Sequence, residues 1–166
     1  VLDATALDPS LNPFVVARGG TWLTPHVGEA ARLLGLDVET VLQHPLEAAR
    51  DLATTWNAGV VLKTAGAVVA APNGSTYVVA AGHPGMASGG TGDVLAGALG
   101  AALASLAAAD HDAARDWTHA SMRVAAAVQL HARAGEDAGR SLGVGFTAHE
   151  LADTLPRTRQ RLMGAW

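Results

Sequence analysis

The sequence predicts an α/β fold, and three features carry that expectation. Short apolar runs such as residues 60–63 alternate with longer stretches of helical spacing. A Pro72-Asn73-Gly74-Ser75 turn separates two strand-like runs, which is the pattern of a hairpin. A glycine-rich loop, residues 82–92, leads directly into an apolar helical stretch.

Taken in order, Val1-Leu2-Asp3 reads as the end of a buried strand, and residues 21–23 as a second short one. Thr24-Pro25 supplies a helix start, with Glu29 in the first turn. Residues 29–34 then run helical until Gly35 stops them. Leu46, Ala49, Leu52, Ala53 and Trp56 repeat at helical spacing, so a helix is expected over 46–56, ended by Asn57 and Gly59. Strands are expected at 60–63, 68–71 and 76–79. After the glycine loop come a helix from Asp93 to about 108, a polar connector at 110–112 and a long helix over 113–134. A last helix is expected over 148–161, kinked or divided at Pro156. The apolar run 94–109 is broken by Gly97, Gly100 and Ser105, and is expected to be a buried helix rather than a membrane span.

The chain of 166 residues is long enough for one domain with one core. A domain rarely begins inside its core, so the opening strand end makes an N-terminally incomplete domain the expectation. Apolar residues make up 49% and charged residues 16%, the balance of a packed globule. The net charge of −4 provides no nucleic-acid footprint. The one dense basic cluster, Arg157, Arg159 and Arg161, fits a solvated helix face. With no cysteine, disulfides, thiolate metal sites and cysteine nucleophiles are excluded. No basic stretch followed by an apolar run marks a leader, and the expectation is a cytoplasmic chain with no membrane partner.

Chemistry concentrates in Gly89-Gly90-Thr91-Gly92-Asp93-Val94-Leu95. Three glycines in four positions allow close backbone approach to a ligand. The helix that follows begins with unpartnered amides at the positive end of its dipole, so loop and helix start together suit a phosphate. A Walker loop would need Lys and then Ser or Thr after the last glycine, where Asp93 and Val94 stand. A dinucleotide fingerprint would need glycine at Leu95. A carboxylate beside a phosphate repels it, so Asp93 makes little sense as a binding group. It makes sense as a base that takes the proton of a hydroxyl attacking phosphorus. The loop alone leaves base and helix cap equally open.

The block Gly85-Met86-Ala87-Ser88-Gly89-Gly90-Thr91-Gly92-Asp93-Val94-Leu95-Ala96-Gly97 resembles the signature of ADP- or ATP-dependent NAD(P)H-hydrate dehydratases, which are ribokinase-like proteins often fused to an epimerase domain. Other segments follow in family order. Val1-Leu2-Asp3-Ala4-Thr5-Ala6-Leu7 is similar to a strand ending in Asp-Ala-Asp-Ala-Leu. Leu23-Thr24-Pro25-His26-Val27-Gly28-Glu29 is similar to a Thr-Pro-His segment, and Val61-Leu62-Lys63-Thr64-Ala65-Gly66-Ala67 to a Leu-Lys-Gly-x-x-Thr stretch. Leu130-His131 followed by Ala134-Gly135 resembles the C-terminal helix pattern. Thr64 and Ala67 depart from the family's usual Gly and Thr, and Val27 from Pro.

The resemblance implies a ribokinase-like fold with a mostly parallel sheet flanked by helices. It implies ADP as phosphoryl donor, Mg²⁺ as the accompanying ion, hydrated NADH or NADPH as substrate, and a homo-oligomer. Asp93 would be catalytic and would touch the substrate. Gly92 would hold the nucleotide phosphate, while Lys63, Thr64, Ala65, Gly66 and Ala67 would lie along the AMP moiety. A lysine closing a buried strand is also a place where ligands gather. His26 would contact the hydrated nicotinamide ring; otherwise it is an ordinary helix-entry residue. His83 in the glycine loop is read as packing, while Asp3 and Glu29 are lesser candidates. The remaining histidines show no paired metal spacing, so no metal-ligating side-chain set is expected. A small-molecule kinase of the same fold would share the Gly-Thr-Gly-Asp logic, and a non-catalytic domain would tolerate the departures at Thr64 and Ala67.

Overall fold

The computed structural model describes residues 1–8, 10 and 20–164. Its centre is a four-stranded sheet in the order β1 (Trp22–Leu23), β2 (Gly59–Lys63), β3 (Ala67–Ala70) and β4 (Thr76–Val79). Leu2 joins the β1 edge through a parallel bridge to Leu23. The expectation of a mostly parallel sheet holds on that side only. β1 and β2 pair in parallel, whereas β2–β3 and β3–β4 are antiparallel. The reason is local: three- and five-residue connections cannot carry a crossover, so the chain folds back as a meander.

Helices α1 (Val27–Leu34), α2 (Val38–Gln43) and α3 (Pro45–Trp56) cover one face. Ala49, Leu52, Ala53 and Trp56 of α3 pack with Val60, Leu62, Val68 and Ala70 of the sheet. The other face carries α4 (Thr91–Ala109) and α5 (Trp117–Leu142). There Leu95, Leu99, Val124 and Val128 meet Trp22, Val61 and Val69. Successive β2 residues therefore enter opposite cores, so this strand reads as a continuous apolar run rather than an alternating one. Helix α6 (Ala148–Leu162) closes a third cluster around Phe146 and Leu151.

The helices mostly follow the expected boundaries, with four differences. α2 went unread because it is six residues long and buries only Val41; its start is set by Asp37, whose carboxylate accepts from the Thr40 amide at 2.7 Å. α5 begins at Trp117, where Asp116 caps it, and continues through Gly135 and Gly139 to Leu142. Both glycines serve contact: a Cβ at Gly135 would overlap the Met86 side chain, and one at Gly139 would strike the His83 ring. Pro156 neither ends nor divides α6, whose start is secured by a reciprocal Thr147–Glu150 capping box. Finally, α4 is not a buried helix. Only Thr91, Leu95, Leu99 and Leu106 are buried, and much of its alanine-rich surface faces outward. By length and composition alone it is apolar enough to cross a membrane.

Candidate active site

The site forms where β2 ends and α4 begins. Lys63 closes β2; its amide donates to the Pro25 carbonyl at 2.8 Å, and its backbone bridges in parallel to His26. The next residues turn sharply, with the Thr64 amide donating to the Gly66 carbonyl at 3.0 Å. This turn, residues 63–67, floors a cavity of about 370 Å³. Val79, Leu95 and Val128 give the cavity an apolar wall, and Gly82, His83, Pro84 and Met86 form its rim. Gly92 of α4 lies at the same cavity. The structure therefore brings together all six residues expected at the nucleotide: Lys63, Thr64, Ala65, Gly66, Ala67 and Gly92.

Two side chains complete this corner. The Lys63 ammonium donates to the Asp3 carboxylate at 2.9 Å. Burial by itself would raise the Asp3 pKa, but the hydrogen bond and charge of Lys63 outweigh it and hold the carboxyl below its ordinary range. A Cβ placed on Gly92 would stand 3.4 Å from the Lys63 Nζ and 3.6 Å from an Asp3 oxygen. The start of α4 thus abuts a neutralised lysine–aspartate pair, with only a glycine's width between them.

The start of α4 is built to leave its amides open. Gly90 is the N-cap, with φ of 89°, and makes no side-chain capping bond. That left-handed backbone is available to glycine at little cost. The first helical bond closes from the Val94 amide to the Gly90 carbonyl at 3.1 Å, so the amides before it have no intrahelical acceptor. The turn is held from its sides instead. The Thr91 hydroxyl donates to the Met86 carbonyl at 2.6 Å and lies 3.0 Å from that of Ser88. The Thr91 carbonyl in turn accepts from His131 Nε2 at 3.0 Å. Burial, and then the charge of Lys63, push the His131 pKa below its ordinary value. The Thr91 hydrogen bond opposes that shift without cancelling it, which favours the neutral ring, and because a carbonyl only accepts, the nitrogen facing it carries a proton.

Asp93 is the third residue of α4, exposed and just outside the cavity wall. It makes no hydrogen bond or ion pair among the described residues, so the cap reading of this carboxylate is not realised; Gly90 is the cap. His26 does not line the cavity. It caps α1: Nδ1 accepts from the Glu29 amide at 3.2 Å, while the Glu29 carboxylate accepts from the His26 amide at 2.8 Å. Its ring nonetheless stays largely solvent-facing, while its backbone bridges to Lys63. His83 packs as expected, against Phe146 at 5.9 Å between ring centroids, with Nδ1 accepting from the Gly85 amide. Sequence reasoning missed His131 and undervalued Asp3. Each acts through a partner 40 or 60 residues away, which no spacing rule reveals. No three His, Asp or Glu side chains gather into a metal-holding group among the described residues.

A family model described as NAD(P)H-hydrate dehydratase matches residues 1–157. The chain is 37% identical over 170 residues to an ADP-dependent (S)-NAD(P)H-hydrate dehydratase of Xanthomonas campestris, covering 98% of itself and 52% of that protein. It is 40% identical over 146 residues to a bifunctional NAD(P)H-hydrate repair enzyme of Thermofilum pendens, covering 87% of itself and 26% of that protein. In structure it matches the ADP/ATP-dependent NAD(P)H-hydrate dehydratase of Bacillus subtilis, co-crystallised with ATP/Mg²⁺, with a TM-score of 0.79 and 32% identity. That match covers 96% of this chain and 53% of the other. The chain thus spans about half the length of the single-function relatives and about a quarter of the bifunctional one. The ribokinase-like α/β class expected from the sequence holds. Matched over nearly its whole length, and carrying the glycine–aspartate block where α4 meets the cavity, this chain belongs to the NAD(P)H-hydrate dehydratase family.

Proposed function

We propose that this chain carries the ADP-dependent dehydration of the S-epimer of hydrated NADH and NADPH. The observation that supports it most is the meeting of the 63–67 turn and Gly92 in one cavity, with an unengaged carboxylate, Asp93, one residue beyond. In this reading the nucleobase lies against the apolar wall of Val79, Leu95 and Val128. The terminal phosphate reaches the open amides at Gly92, with Lys63 beside it. Hydrated nicotinamide approaches from the solvent side, between Asp93 and the exposed ring of His26.

Asp93 takes the proton of the hydroxyl on the hydrated ring. The oxygen forms a bond to the β-phosphorus of ADP as the bond to AMP breaks. The ring-nitrogen lone pair then expels phosphate, and loss of the neighbouring carbon's proton restores the double bond. The products are AMP, phosphate and NAD(P)H. Mg²⁺ would be held here chiefly through the nucleotide phosphates and water, with the Asp3 and Asp93 carboxylates at the start of α4 to assist. When bound, it supplies charge neutralisation for the phosphates. A homo-oligomer in the cytoplasm, fused to or partnered with an epimerase domain, completes the reading; the bifunctional relatives support the last element.

The test is incubation of the chain with hydrated NADH and either ADP or ATP, following recovery of dihydronicotinamide absorbance. Recovery with stoichiometric AMP from ADP is expected. Accumulation of a stable phosphate ester without recovery would instead assign a kinase.

A further inference from the structure

α4 begins without a side-chain cap, yet its first peptide unit must keep one orientation if its amide is to meet a phosphate. The C=O of Thr91 and the N–H of Gly92 belong to the same planar trans peptide, so they point in opposite directions. Whatever grips the carbonyl therefore aims the amide. The α4 backbone gives that carbonyl its helical direction, and α5 adds a second grip from outside the helix: His131 Nε2 lies 3.0 Å from the Thr91 oxygen, within a ring that is only 6% exposed. A carbonyl only accepts, so the imidazole is the donor. His131 also borders the cavity that Gly92 borders.

We propose that His131 is a positioning residue for the phosphate site, fixing the Gly92 amide toward the ligand through the Thr91–Gly92 peptide. A hydrogen bond to one end of a peptide also polarises the other, so His131 strengthens the amide as a donor as well as aiming it. The inference rests on the reading of Gly92 as the phosphate contact. It adds a residue on another helix, 40 positions away, that makes the contact effective.

The experiment is calorimetric titration of the full chain with ADP and with adenosine, on His131→Leu, His131→Gln and His131→Asn. Glutamine places an N–H near the position of Nε2, whereas asparagine is equally polar but too short to reach. Leucine and asparagine should weaken ADP roughly ten- to a hundredfold, the worth of one hydrogen bond to a charged group. Adenosine should be unaffected, and glutamine should bind ADP nearly as the wild type does. Should leucine prevent folding, the glutamine–asparagine pair decides. Equal ADP affinity in those two, or equal losses for ADP and adenosine, overturns the proposal. A wild-type chain that does not bind ADP overturns the functional reading, and this inference with it.

Discussion

Two helix starts lie side by side in this molecule and are built in opposite ways. At α6, a reciprocal box takes up two backbone amides: that of Glu150 donates to the Thr147 hydroxyl oxygen, and that of Thr147 to the Glu150 carboxylate. At α4, whose cap Gly90 would bring a Cβ within 3.0 Å of Ala148, no side chain bonds to the cap position, and the support comes from Thr91 and His131 at the sides. The first arrangement spends amides on stability; the second leaves them open, and in the proposed function they meet a phosphate. The contrast sets a capped helix start beside an open one within a few ångströms, and the proposed function can be tested by mutation at either side.

The largest effect is expected at Asp93. Asp93→Asn should lower turnover by about a hundredfold to ten-thousandfold, the usual cost of losing a positioned base. ADP binding should hold or tighten slightly, because a charge near phosphate is removed. Turnover and calorimetry on the same preparation check both halves, and near wild-type turnover would remove Asp93 from the chemistry.

Gly92→Val should come next. The new side chain enters the gap between the α4 start, Lys63 and Asp3. ADP affinity should fall by about ten- to a hundredfold, while circular dichroism shows helix content retained. Unchanged affinity would place the phosphate elsewhere.

At the neighbouring helix the opposite result is expected. Thr147→Ala should cost about 0.5–2 kcal/mol of stability in denaturant unfolding and leave ADP affinity unaltered. If ADP binding fell with it, the two helix starts would not be functionally distinct.

The smallest effect concerns pH. His131 is buried neutral with its pKa lowered, so the unfolded chain takes up its proton first as pH falls. Its contribution to stability is complete above the ordinary value of 6.5 and diminishes below it. Melting temperatures from pH 7 down to 5 should fall more steeply in the wild type than in His131→Gln. Parallel curves would mean the ring is not held neutral.

What the sequence revealed of this fold was local. Asn73-Gly74 announced the hairpin, Gly35 ended α1, and Lys63 closing an apolar run beside a turn marked the cavity floor. The glycine block before Asp93 marked the uncapped start of α4 at the cavity for the same reason, since loop and helix start are contiguous. Features made by distant partners were invisible. The Asp3–Lys63 pair joins chain segments 60 residues apart, and α5 outran its expected end because its glycines answer to Met86 and His83 rather than to their own helix. The burial of α4 failed differently: an alanine-rich run carries too little contrast between its faces for composition to say which one is covered.

The fit of Met86 against Gly135 and of His83 against Gly139 has a consequence for how this protein tolerates change over evolution. Volume there is shared between a loop and a helix some fifty residues apart, so neither partner has a fixed cost of substitution. An alanine at Gly139 must displace the His83 ring and one at Gly135 the end of the Met86 side chain, and either is easier beside a smaller partner. The glycine loop and the last third of α5 therefore inherit each other's history, and sequence drift in one is permitted only along paths the other has already opened.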